Sequence, residues 1–286
     1  MNFPVGTQPH DTQPHDRHGL AQVNTPEMGV VLTVLSPTGG VGATTLATNL
    51  AVRLASKRRH TSAQVGLMDA DVGFGLATAM AGARPPRSLA DLDSQVNPDA
   101  LLAAVQPLEC GLEVLASPAD PIAAEGVVPA TCARVIRLLA QRHAVTVIDT
   151  APGLGEPTLT AIDHADVVLI PVLGTPSGCR ATATVITTLK RIGVGDSQIR
   201  LAANRVGSPH ALSAAQIADA LSFPVDWTIP DSPDVVLAAR RGRLLAWGWP
   251  DHPVSTALDR IASDVLDAAG GDAARLVTSG TLGRAA

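Results

Sequence analysis

Apolar residues in this chain fall into short unbroken runs, separated by longer stretches in which they recur every three to four positions. Runs such as Val30-Val31-Leu32-Thr33-Val34-Leu35 and Val167-Val168-Leu169-Ile170-Pro171-Val172 are continuous rather than alternating, the pattern of strands covered on both faces. Seven strands are predicted, over residues 30–35, 64–68, 112–116, 145–148, 167–172, 199–203 and 225–228. Helical spacing predicts helices over 44–57, 130–142, 178–191, 213–221, 233–240 and 254–268. Strands alternating with helices give an α/β fold, a doubly wound and mostly parallel sheet of about seven strands flanked by helices.

The pattern stops near both ends. Residues 1–27 are polar, contain a duplicated Thr-Gln-Pro-His-Asp pentapeptide (7–11 and 12–16), and bury too little apolar surface to fold alone, so they are expected to be a disordered polar tail. Residues 270–286 read as a loose C-terminal tail, which leaves 28–269 as one domain. With 46 % hydrophobic residues in 286, that domain has ample material for a core. A net charge of −5 excludes a surface generally suited to nucleic acid. Cys110, Cys132 and Cys179 have neither the number nor the spacing of a disulfide framework or a zinc site. No apolar run reaches membrane-spanning length and no basic-then-apolar leader opens the chain, so a cytoplasmic protein is expected.

Three segments carry candidate chemistry. Leu35-Ser36-Pro37-Thr38-Gly39-Gly40-Val41-Gly42-Ala43-Thr44-Thr45 follows a strand and opens a helix, the setting of a phosphate loop. In such a loop the amides of Gly39, Gly40, Val41, Gly42, Ala43, Thr44 and Thr45 surround a phosphate, and the Thr44 hydroxyl serves Mg²⁺. Next, Val65 to Met68 ends in Asp69-Ala70-Asp71, which places two carboxylates at the sheet edge where ligands bind in open α/β folds. One of them can reach the metal or its waters, and the other can orient an attacking water. Finally, Val145-Thr146-Val147-Ile148-Asp149 precedes a Pro152-Gly153 turn, the Walker B form whose carboxylate holds the Mg²⁺ hydration shell.

Taken with Ala165 to Val172, Asn204-Arg205-Val206 and Ile229-Pro230-Asp231-Ser232, these segments resemble the MinD/ParA superfamily of deviant Walker ATPases, which has a P-loop NTPase fold, over about residues 29–268. The resemblance implies ATP and Mg²⁺ as ligands, Asp71 as the catalytic group that positions water, and Thr44, Asp69 and Asp149 at the metal. It also places Asn204, Pro230 and Asp231 near the adenine. Within the superfamily, the loop looks most similar to the CpaE/TadZ branch, an actinobacterial septum-site-determining subgroup included. That branch implies a localisation or regulatory factor for septum placement or for pilus or secretion assembly, with proteins of that machinery as partners.

One departure from the superfamily pattern bears on mechanism. The loop positions that hold lysines in the superfamily are Thr38 and Ala43, and the chain's two lysines, Lys57 and Lys190, lie elsewhere. Losing a preorganised donor from such a site costs on the order of 10²- to 10³-fold in rate, so nucleotide binding with weak or absent hydrolysis is expected. Arg180, Arg205 and Arg240 are candidates to restore a cation. Thr38 also weakens the charge balance of a nucleotide-sandwich homodimer, leaving any dimer to apolar contacts. Two other readings stand beside this one: a working ParA-type ATPase that partitions DNA or another cargo, and a nucleotide-free scaffold. For DNA, Arg240-Arg241-Gly242-Arg243 is the best basic patch and Lys57-Arg58-Arg59 the second. The C-terminal segment has too little basic amphipathic character for a direct membrane anchor. Trp247-Gly248-Trp249-Pro250 reads either as a loop packed on the domain or as a partner surface.

Overall fold

The computed structural model describes residues 28–58 and 64–270; the expected N-terminal tail, Arg59 and residues 271–286 of the expected C-terminal tail lie outside them, while Gly270 ends a helix rather than opening a tail. The described residues form one eight-stranded sheet in the order β3-β4-β2-β5-β1-β6-β7-β8. The strands are β1 (Val30–Val34), β2 (Gln64–Ala70), β3 (Gln106–Pro107), β4 (Leu112–Leu115), β5 (His143–Thr150), β6 (Val167–Leu173), β7 (Ile199–Val206) and β8 (Trp227–Pro230). Every neighbouring pair is parallel except β3 with β4. The helices are α1 (Ala43–Arg58), α2 (Ala77–Met80), α3 (Pro98–Leu102), α4 (Pro121–Ala124), α5 (Pro129–Arg142), α6 (Glu156–Asp163), α7 (Pro176–Arg191), α8 (Ala214–Leu221), α9 (Pro233–Arg240), α10 (Leu245–Gly248) and α11 (Pro253–Gly270).

The doubly wound α/β expectation holds, with one strand more than the seven predicted. The extra strand, β3, is two residues long and turns back through Gly111 (φ +85°), too short to leave a periodicity in the sequence. Helix α7 starts at Pro176 rather than 178, because Thr175 caps it by accepting the Gly178 amide at 3.1 Å and proline suits a first helical turn. Strand β8 lies two residues later than predicted. The Asp226 carboxylate accepts the Leu201 amide at 2.8 Å, and this sets where pairing begins.

Alternate strand residues serve the two faces. Val30, Leu32 and Val34 join Leu46, Leu50 and Leu54 of α1 with Leu258 and Ile261 of α11 in one core layer. On the other face, Val31, Met68 and Ile148 pack on Val135, Ile136 and Leu139 of α5, while Val168, Ile170 and Val172 pack on Val185 and Leu189 of α7. Strand β1 is therefore central and covered on both sides, and the chain winds outward from it in both directions. Its C-terminal end is the switch point where such sheets open a ligand crevice. No helix among the described residues is long and apolar enough to cross a membrane.

Candidate nucleotide site

The loop after β1 turns at Gly40 (φ +81°) and Gly42 (φ +91°), left-handed conformations that glycine adopts without steric cost. Residues 38–40 are exposed, and α1 begins immediately afterwards at Ala43. The loop is tethered from two neighbours. The Gly153 amide donates to the Ser36 carbonyl at 3.1 Å, bringing the Pro152-Gly153 turn alongside it. Asn204, near the end of β7, donates from Nδ2 to the Val41 carbonyl at 2.8 Å. A β-carbon on Gly42 would lie 2.8 Å from that same nitrogen, so a side chain there would push the tether away.

Strands β2 and β5 place Asp69 directly opposite Asp149. Both are fully buried. The Asp149 carboxyl has no hydrogen-bond partner on either oxygen. Burial pushes it up to about 8, the Asp69 charge adds to the rise, and the nearby Thr44 hydroxyl opposes it. Asp69 is better accommodated. Its Oδ2 accepts from the Thr78 amide at 3.2 Å and the Thr78 hydroxyl at 3.3 Å, while Oδ1 has no partner. Gly75 lies against this carboxylate, where a β-carbon would come within 2.4 Å of Oδ1. Burial raises the Asp69 carboxyl to about 6. Asp71, two residues on, is half-buried and accepts the Phe74 amide at 3.2 Å.

Orphaned, buried carboxylate oxygens of this kind lack a counter-charge, and a hard cation supplies one. Among the described residues, no three His, Cys, Asp or Glu side chains converge as a chelate. The donor set of Asp149, Asp69 and Thr44 therefore fits Mg²⁺, which completes its shell with water and phosphate oxygens, rather than a cation caged by protein alone.

Beside the loop lies a cavity of about 360 Å³. Gly42 and Thr45 line its loop end, Asn204, Arg205, Pro230 and Asp231 one wall, and Val235 and Val236 of α9 another. The structure thus gathers Gly42, Thr45, Asn204, Pro230 and Asp231 around one space, while the acidic residues 69, 71 and 149 stand at the ends of β2 and β5. Ala43 is 5 % exposed and belongs to the core layer with α1, so no cation stands at that loop position. Neither Arg180 nor Arg240 lines the cavity, and Arg205 does. Leu245 of α10 and Val254 and Leu258 of α11 complete the lining, and of these the two α11 residues belong to no motif that the sequence shows.

A family model for ParA, described as an NUBPL iron-transfer P-loop NTPase, matches residues 27–189, more than half of the chain. The chain belongs to the ParA family. Among the relatives of this ParA-family chain, an ATP-binding protein of Methanocaldococcus jannaschii is 27 % identical over 252 residues, covering 84 % of this chain and 89 % of that one. The septum site-determining protein MinD of Thermotoga maritima is 28 % identical over 226 residues, covering 75 % and 80 % respectively. In fold, the chain is similar to a ParA family ATPase from Chlorobium tepidum, with TM-score 0.75 at 20 % identity over 82 % of this chain and 98 % of that one. It is likewise similar to MinD of Pyrococcus horikoshii complexed with Mg-ADP, with TM-score 0.73 at 21 % identity over 87 % of this chain and all of that one.

Proposed function

We propose that this ParA-family protein binds ATP with Mg²⁺ at the loop of residues 38–45 and uses the bound state to localise or regulate other proteins, hydrolysing the nucleotide weakly or not at all. The observation that carries the reading is the pairing of an amide-lined glycine loop with buried, unpartnered carboxylates, in a loop whose two lysine positions hold Thr38 and Ala43. The amides of residues 39–45 and the start of α1 hold the β-phosphate, since unpaired N–H groups and the helix dipole favour an anion there. Asn204, Pro230 and Asp231 border the space for the base. Thr44, Asp149 and Asp69 hold Mg²⁺, which when bound neutralises phosphate charge. Asp71, on the half-exposed turn after β2, orients water.

The finer reading, a CpaE/TadZ-like factor with one domain over 28–269, draws support from relatives named for septum-site determination in Thermotoga maritima and Emiliania huxleyi. Septum placement is favoured on that ground over pilus or secretion assembly, with proteins of that machinery, and a second copy of this chain, as partners in the cytoplasm. Titration calorimetry with ATP and Mg²⁺, run beside a phosphate-release assay, tests the reading. Binding is expected, with turnover well below about 1 per second, the low end of typical enzymes. Turnover above that rate, abolished in Asp71→Ala, would establish the working ATPase instead, and absence of binding would leave the scaffold.

A further inference from the structure

Arg205 stands in the wall of the cavity beside the loop and is, among the described residues, the one lining it that carries positive charge. Its backbone is out of the ordinary, with φ at +57°, a left-handed conformation that a β-carbon disfavours. Around it β7 shifts register against β8 between Ala203 and Val206, the kind of bulge that re-aims side chains beside sites. Asn204 links this kink to the loop: its Oδ1 accepts the Arg205 amide at 3.0 Å while its Nδ2 holds the Val41 carbonyl. Arg205 is exposed as a residue, and its guanidinium makes no hydrogen bond or ion pair with any described residue. Backbone strain maintained to present an unpaired charge contributes nothing to packing, and a ligand that uses the charge accounts for it.

The loop beside it lacks both lysines. We propose that Arg205 is the cation of this site, placed to bind the polyphosphate of a nucleoside di- or triphosphate seated on the glycine loop. The proposal rests on the nucleotide-binding reading given above. Arginine suits the task, because its guanidinium stays charged at any physiological pH and its forked donors match phosphate oxygens. Coming from the end of β7 rather than from the loop, it leaves Ala43 free to pack in the core.

Calorimetric titration of the full chain with ATP, ADP, AMP and adenosine, each with Mg²⁺, tests the assignment in wild type, Arg205→Ala, Arg205→Lys and Arg205→Gly. The alanine variant is expected to lose tenfold or more in ATP and ADP affinity with adenosine affinity unchanged, and lysine to recover part of the loss. Glycine relaxes the φ constraint, so Arg205→Gly is expected to melt no lower than wild type without ligand yet to bind ATP as weakly as the alanine variant. A merely structural role would not separate those two readouts. Equal ATP affinity in wild type and Arg205→Ala overturns the assignment while leaving nucleotide binding intact, and an equal loss for adenosine and ATP overturns it by placing Arg205 on the base. Failure of the wild type to bind any of the four overturns the assignment together with the nucleotide reading.

Discussion

Ala43 precedes Thr44 where the general P-loop pattern G-x-x-x-x-G-K-[ST] has lysine, and its methyl group is packed in the core layer at the start of α1. A lysine placed there starts at the first residue of α1 and has a long stem that can leave the core for the exposed loop. Ala43→Lys is therefore expected to raise ATP affinity about tenfold and phosphate release by on the order of 10²-fold. Ala43→Met, equal in bulk but uncharged, should do neither, and a coupled phosphate assay distinguishes them. At this scale the sequence is legible where a residue's role follows from its neighbours in the chain. Asp69 and Asp149 each close an apolar run, and Gly40 and Gly42 mark a turn. It is illegible for the tether from Asn204 to Val41, 163 positions away, and for the left-handed backbone of Arg205.

Helix α1 links the loop to the rest of the domain. Asn49 donates to the Thr45 carbonyl and accepts the Ala246 amide at 3.0 Å, and Arg53 meets the Asp259 carboxylate of α11 through Nε at 2.8 Å while also donating to the Ala246 carbonyl. These contacts hold α10 and α11, which form the deep wall of the cavity, against the helix that starts at the loop. Arg53 is largely buried and its bonds are charge-assisted, so Arg53→Ala is expected to cost about 2 to 3 kcal/mol in urea unfolding. It should also weaken ATP binding. The period of the sequence locates the long helices because their buried faces repeat, and 233–240 coincides with α9 to the residue. Short elements such as α2, α4 and α10 escape it, since four residues make barely one turn and tertiary packing, not propensity, forms them. The segment around the two tryptophans shows both tendencies: Leu244 to Ala246 are buried, while Trp247 and Trp249 stay 43 % and 41 % exposed.

Across the whole molecule, an ion cluster stands at the end of the strands away from the loop of residues 38–45. Glu113 of β4 receives Arg142 Nε and Nη2 at 2.6 and 2.7 Å and contacts His143 Nε2 at 2.9 Å, joining β4, α5 and β5. Burial alone would raise the Glu113 carboxyl, but the Arg142 and His143 hydrogen bonds outweigh it and bring it from 4.5 down to about 2. A carboxyl lowered on folding adds stability above its unfolded value and loses it as pH falls through its folded one. A contribution on the order of 3 kcal/mol should therefore disappear between about pH 4.5 and 2. Urea midpoints measured across that interval are expected to fall in the wild type, whereas Glu113→Gln should start lower at pH 7 and lose less. By itself the sequence determined the α/β class, the order of the main strands and helices, and the three segments that meet at the switch point. It could do so because burial on both faces and loop chemistry are written in consecutive residues. Only the tertiary structure decided the cross-strand pairing of Asp69 with Asp149, the cavity walled by α9 to α11, and which arginine among the described residues lines it. Each of these depends on contacts between residues far apart in the chain, where distance in sequence carries no information about distance in space.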